Sequence, residues 1–340
     1  MSDRWKRKLI QVILLVLLLV SVGECYAWGF FAHRRINRQA VFSLPPEMFG
    51  FFKYHIDYIT DNAINPDRRR YAVLGEAEKH YIDVEAYGDS ALYKLPRYWH
   101  QALEVYEESH LRAHGIGPWN VYHVKLQLTN AFLKKDKKAI LRLAADLGHY
   151  IADMHVPLHT TQNYNGQLTN QHGIHAFWES RIPELLVDEY DFFVGQAMYI
   201  ERPQLAIWSA VEGAHAALDS VLRFERELTA RFDKDKKFTY EERGGINTRL
   251  HSRPFTLAYH ELLDGQVERQ MRAAIKLVAD FWYTAWIDAG QPVLGDLLDI
   301  KEQLPEEKFD TKDPLPVREH EGLVLSLNAL NWRKGREDIG

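Results

Sequence analysis

Between residues 33 and 286 the chain repeats one pattern, apolar residues at three- and four-residue spacing in stretches closed off by proline, glycine and asparagine. Such stretches cover 33–44, 96–114, 118–134, 138–154 and 173–186. Two long ones follow at 204–232 and 255–286, rich in Ala, Leu, Glu and Arg. The breakers between stretches include Pro45-Pro46, Asn65-Pro66-Asp67, Asn163 to Gly166, and Gly244-Gly245. Few runs alternate apolar and polar residues in the way half-buried strands do. The chain therefore reads as all-α, a single multi-helix domain over residues 28–290. From 291 to 340, spaced prolines and mixed charge suggest a loosely docked tail.

The first residues point to export. Arg4, Lys6, Arg7 and Lys8 precede a run at 9–22 that is apolar except for Gln11 and Ser21, and Gly23-Glu24-Cys25-Tyr26-Ala27 follows. This is the layout of a secretory signal peptide. The apolar run is shorter than the ~20 residues that span a bilayer. Cleavage after Ala27 would make 1–27 a signal peptide, start the mature protein at Trp28, and leave it secreted or periplasmic. It would also remove Cys25, the sole cysteine, so that no disulfide or thiolate ligand could form. Four basic and two acidic residues leave with the segment, and the formal charge moves from −5 to −7. Such a chain does not hold phosphate backbones by net charge alone. Bound divalent cations would offset the deficit locally.

The chemistry is concentrated between His149 and Glu179. His149 and Asp153 are four apart on a helical stretch and leave the same face, and His175 with Glu179 repeats that spacing. Imidazole nitrogen and carboxylate oxygen together suit zinc. One such pair carries little weight. Five occur here, including His100/Glu104, His215/Asp219 and His260/Asp264, where composition alone yields about two. Those last three read as solvated helix faces. The first two pairs differ because one loop joins them, with His159 between them after Pro157, which ends the helix and lets His159 turn back. Upstream, Trp28-Gly-Phe-Phe-Ala-His33 opens at the expected cleavage site, where a free α-amine could join a metal. Asp67 lies in a breaker-defined loop and His80 follows in Lys79-His80-Tyr81-Ile82-Asp83.

This set of motifs, in this order, resembles the superfamily that joins bacterial zinc-dependent phospholipase C to the zinc-dependent single-strand nucleases of fungi and plants. The resemblance covers most of residues 28–179, with a weaker likeness in helical pattern to about 290. It implies a trinuclear zinc site between helices. Asp67, His80, His149 and Asp153 would hold one zinc, and His159, His175 and Glu179 a second. The amine and carbonyl of Trp28, with His33 and Asp153, would hold the third, so that Asp153 bridges two ions. It further implies phosphodiester hydrolysis by a metal-activated water, with Asp67 orienting or deprotonating that water. Arg70 could clamp phosphate through its planar fork, and Asn165 is a weaker candidate for substrate contact. Glu179 stands where the nuclease branch usually carries Asp, which favours a phospholipase C-like activity on phospholipids. The Trp28–His33 spacing and Asn165-Gly166 with Thr169-Asn170 look more like the nucleases. Single-strand nuclease or 3′-nucleotidase activity is thus the alternative. A non-catalytic exported zinc-binding protein is the reading from another class. The expected partners are a phospholipid or single-stranded nucleic acid as substrate and a transient membrane surface, with no obligate protein partner.

Overall fold

The computed structural model describes residues 29–88, 90–243, 245–298, 304 and 307. Trp28 and the segment read as a signal peptide lie outside these, as does the tail from 308. Among the described residues the fold is all-α apart from one two-stranded hairpin. Its helices of nine residues or more are α1 (Gly29–Ala40), α2 (Pro46–Tyr54), α3 (Gly117–Leu133), α4 (Lys137–Asp153), α5 (Pro203–Arg231), α6 (Arg253–Leu262) and α7 (Gln266–Asp288). Among the described residues no helix is long and apolar enough to cross a membrane.

The centre of the fold is α4. Its start is set by Asp136, whose side chain accepts from the Ala139 amide. From Leu143 to Asp153 every residue is buried. A helix apolar or buried all round must be enclosed by neighbours, and α1, α3, α7 and the residues 56–69 pack around it. α3 and α4 are joined by three residues, with Lys135 left-handed at φ 50°. The Trp282 indole of α7 donates to the Ala144 carbonyl (3.0 Å), and Asn37 of α1 donates to Ala145 O (3.0 Å). α1 can come this close because residue 148 has no side chain. A Cβ built there would sit 2.0 Å from Asn37 Oδ1.

Three stretches depart from the sequence pattern. The 96–114 stretch is two short helices, Trp99–Val105 and Glu108–Ala113, separated where Tyr106 and Glu107 are extended. The 255–286 stretch divides into α6 and α7 at Asp264 and Gly265, both left-handed (φ 47° and 69°). Both helices face the same core, so apolar spacing alone does not reveal the break. Between α5 and α6 stands a hairpin of β1 (Phe238–Arg243) and β2 (Ile246–His251), paired from Phe238↔His251 to Arg243↔Ile246. Gly245 (φ 81°) lies in its turn. The alternation of Phe238, Tyr240, Thr248 and Leu250 with polar residues is the strand signal here. Beyond 290, Leu294 and Leu297 are buried against the core, Trp286 donates to Pro292 O (3.0 Å), and Glu307 pairs with Arg69 at 2.9 Å.

Gly148→Ala is expected to push α1 from α4 and cost about 1–3 kcal/mol, read as a lower midpoint in chemical denaturation. A midpoint equal to that of the parent would mean that the crossing tolerates a methyl group. A second expectation concerns acid. His251 stacks on Phe177 at 3.8 Å. Burial, with the charges of Lys237, Arg249 and Arg181, lowers it to about 3 from the ordinary 6.5. The folded state resists protonation that the unfolded state accepts, so the stabilising effect is complete above pH 6.5. It is lost as pH falls toward 3, by up to about 1.4 kcal/mol per pH unit. His251→Phe should flatten the stability profile in that window, and an unaltered slope would rule this residue out as a source of acid sensitivity.

Candidate metal centre

Helix α4 carries His149 and Asp153 on one face, one turn apart, and both are buried. The His149 Nδ1–H donates to Ala63 O at 2.8 Å. A carbonyl can only accept, so in the neutral ring Nε2 keeps a lone pair directed inward. Two further histidines are oriented in the same way. His159, in the turn Pro157–Thr160, donates through Nδ1 to His80 O. His175 donates through Nδ1 to Tyr164 O at 3.0 Å. Their Nε2 atoms then face each other at 3.2 Å.

Asp153 is the hub. Its Oδ2 lies 2.9 Å from His80 Nδ1 and 3.3 Å from His149 Nε2. Its Oδ1 lies 3.4 Å from His33 Nε2 and 3.8 Å from His159 Nε2. The two oxygens thus face two different sets of imidazoles. Asp67 closes the first set, with Oδ1 3.8 Å from His80 and 3.7 Å from His149. Glu179 closes the second, with Oε2 3.0 Å from His175 and 3.5 Å from His159. Among the described residues, three groups have ligand atoms close enough to share an ion: His80, His149 and Asp153; His159, His175 and Glu179; and His33, Asp67 and His149.

Charge and burial oppose one another throughout. Burial, with His149 beside it, lowers His33 to about 4. Burial likewise lowers His80. For His149 burial acts downward, but the carboxylates of Asp153 and Asp67 outweigh it and raise the ring to about 9. Burial pushes Asp153 up, yet His149 and His159 prevail and hold it well below the usual carboxylate range. His159 is raised in the same manner by Asp153 and Glu179.

The donor set fits a bound cation. Facing Nε2 lone pairs on His159 and His175 repel unless a proton or a metal lies between them. His33 Nδ1 and His80 Nε2 are buried without a hydrogen-bond partner, so these rings are not held in place by a full set of hydrogen bonds. Imidazole and carboxylate without thiolate is a set suited to zinc.

Local chain features put each candidate ligand in reach. Glu179 lies in a π-helical turn, Phe177–Arg181, where an ordinary helix was expected. Pro183, four residues after Glu179, has no N–H to give the Glu179 carbonyl, which favours the wider turn there. The loop before His175 is closed by Gly166 (φ 71°), where a Cβ would meet Gln171 O at 2.4 Å. The Asn165 side chain is used within this loop, its Oδ1 accepting from the Gly173 amide at 3.0 Å. Arg70, read from sequence as a possible phosphate clamp, is buried with its guanidinium 3.6 Å from Asp67 Oδ1. Trp28 lies outside the described residues. Its neighbour Gly29 approaches Glu179, a Cβ at 29 falling 3.1 Å from Oε1.

Sequence reading missed the supports. The carbonyls of Ala63, His80 and Tyr164 leave no trace in residue types. Behind His80, Arg69 reaches Glu76 and Asp146 (3.3 and 3.0 Å), and the Tyr150 hydroxyl donates to Glu76. The pair Glu76–His80 at helical spacing was the available clue. His100 and Glu104 are exposed, and neither His215 nor His260 joins a ligand group.

No protein-family profile matches the sequence, and no curated protein sequence does. Among solved structures the chain is similar to the alpha-toxin of Clostridium perfringens isolated from avian strain SWCP. The TM-score is 0.44 at 10% identity, covering 77% of this chain and 65% of that one. The likeness is a distant one of fold, and this chain spans less than two thirds of that protein.

His149→Ala should lower the zinc held per chain while helical circular dichroism persists, whereas His100→Ala and His260→Ala should keep the parent's zinc. Undiminished zinc in His149→Ala would remove that residue from the ligand set.

Proposed function

We propose that this chain is an exported zinc-dependent phosphoesterase that hydrolyses phosphodiester bonds of phospholipids in the manner of a phospholipase C. The observation that carries the reading is the division of the Asp153 carboxylate, one oxygen toward His80 and His149 and the other toward His33 and His159. A carboxylate so divided suits a bridge between neighbouring cations. A site that held one structural zinc would need only a closed shell of four ligands.

Three zinc ions are proposed. Asp67, His80, His149 and Asp153 would hold the first, and His159, His175 and Glu179 the second. His33 and Asp153, with the amine and carbonyl of a mature N-terminal Trp28, would hold the third. Zinc in such a centre supplies Lewis acidity, which makes water a nucleophile near neutral pH and neutralises phosphate oxygens. The chain's own residues do the rest. Nδ1–H bonds to backbone carbonyls fix the imidazoles of His149, His159 and His175, so the inward nitrogens are preorganised. Asp67, at the edge of the cluster, is the group to orient water and take its proton at a carboxylate oxygen. Arg70, its guanidinium 3.6 Å from Asp67 Oδ1, would add positive charge that helps hold a phosphate. Phospholipid is preferred as substrate because Glu179 occupies the last ligand position.

The test is hydrolysis of phosphatidylcholine vesicles against single-stranded DNA by protein beginning at Trp28, with and without chelator. Chelator-sensitive release of phosphocholine is expected. Chelator-sensitive cleavage of DNA alone would move the chain to the nucleases. Tight zinc binding with neither substrate turned over would leave a non-catalytic zinc-binding protein.

A further inference from the structure

The hairpin β1–β2 begins 59 residues beyond Glu179, the last of the proposed metal ligands in sequence, and nothing in the proposed reaction uses it. It nevertheless grips the turn that carries Glu179. Arg181, 4% exposed, directs most of its donors there, with one terminal nitrogen also 3.4 Å from Glu184 Oε2. One terminal nitrogen reaches Glu241 Oε2 at 3.0 Å and the other pairs with Oε1, a two-pronged contact, while Nε donates to His251 O at 3.1 Å. Arg243 backs the same carboxylate, 2.9 Å from Glu241 Oε2, and reaches Glu184 at 3.2 Å. Four residues before Arg181, the Phe177 ring stacks on His251 at 3.8 Å.

Residues 177 and 181 lie on one face of the turn because four residues are close to one revolution, and 179 points to the opposite side. Two holds on one face therefore fix the direction of the side chain on the other. That side chain is Glu179, whose Oε2 lies 3.0 Å from His175 and 3.5 Å from His159. A π turn is a rare departure from the α-helix, and the hairpin contacts hold this one in place.

We infer that the hairpin is a positioning device for the second metal position, with Glu241, Arg181 and His251 as positioning residues that act through the Glu179 turn. The inference rests on the metal-centre reading above. It assigns these residues no contact with substrate or ion. Oriented outer residues of this kind change metal affinity by about 10–100-fold when removed.

The experiment uses the full chain, with zinc per chain measured after dialysis and zinc affinity measured by titration of stripped protein. Glu241→Ala and His251→Ala each remove one hold. Each should lose one ion per chain, with that ion bound about 10–100-fold more weakly, and the remaining zinc should be retained. His251→Phe keeps the stack on Phe177, and Glu241→Gln keeps an acceptor for Arg181, so both should retain more zinc than the alanine variants. Parent-like zinc in both alanine variants overturns the clamp and leaves the metal centre standing. Loss of all zinc together with a lowered thermal midpoint of the metal-free protein overturns it as well, since that is general destabilisation. If the parent chain itself retains no zinc, the metal centre fails and the clamp with it.

Discussion

A carboxylate enclosed on every side is among the most expensive groups a protein can bury, and Asp153 is 1% exposed at the end of the central helix. Its cost is offset only by groups that bring positive charge or donated hydrogen bonds to both oxygens. The surrounding chain is arranged to do that. α1 contributes His33, the turn at 77–80 contributes His80, α4 itself contributes His149, and the turn at 157–160 contributes His159. These elements come from distant parts of the chain, so a stable Asp153 requires the helices to be assembled. The candidate metal centre and the core are therefore one structure. The packing that buries every residue of α4 from Leu143 to Asp153 is what forces the polar residues there into a satisfied cluster.

The imidazoles are held from outside that cluster. His149, His159 and His175 each give one N–H to a backbone carbonyl, of Ala63, His80 and Tyr164 respectively. The ring is thereby fixed in orientation, and its other nitrogen faces the centre, where it can share a proton with a carboxylate or hold a cation. Rigid backbone does this more accurately than another flexible side chain could. It also explains the glycine and asparagine turns before His175. They bring the Tyr164 carbonyl back over the ring, with Asn165 closing the loop on the Gly173 amide. On the far side the Glu179 turn is supported by the hairpin, so the two halves of the centre have different mechanical origins. One half is built on a straight, enclosed α-helix. The other stands on a wider turn that takes its direction from neighbours.

Much of this was legible before the fold was known. The spacing of apolar residues placed α3, α4 and α5 to within a residue or so, because each presents one continuous face to the core. His149/Asp153 and His175/Glu179 stood out through their i,i+4 spacing and their nearness to His159. The same spacing also marked His100/Glu104, which faces solvent, so the pattern alone did not separate ligand from surface. The hairpin escaped notice because its strands are six residues each and partly exposed. Its apolar residues are too few to outweigh the helical runs on either side. The break between α6 and α7 escaped for the opposite reason, since apolar spacing continues across Asp264 and Gly265.

The sequence by itself determined the all-helical class, the course of the principal helices, and the set of imidazole and carboxylate residues from which a metal centre could be built. These depend on local periodicity and on side-chain chemistry, which any short window of residues carries. Tertiary structure alone decided which oxygen of Asp153 faces which histidines, and that the carbonyls of Ala63, His80 and Tyr164 orient the rings. It alone also decided that Glu179 rides on a π turn gripped by a distant hairpin. Those are distances between residues as many as 120 positions apart (His33 and Asp153), and no local pattern encodes them.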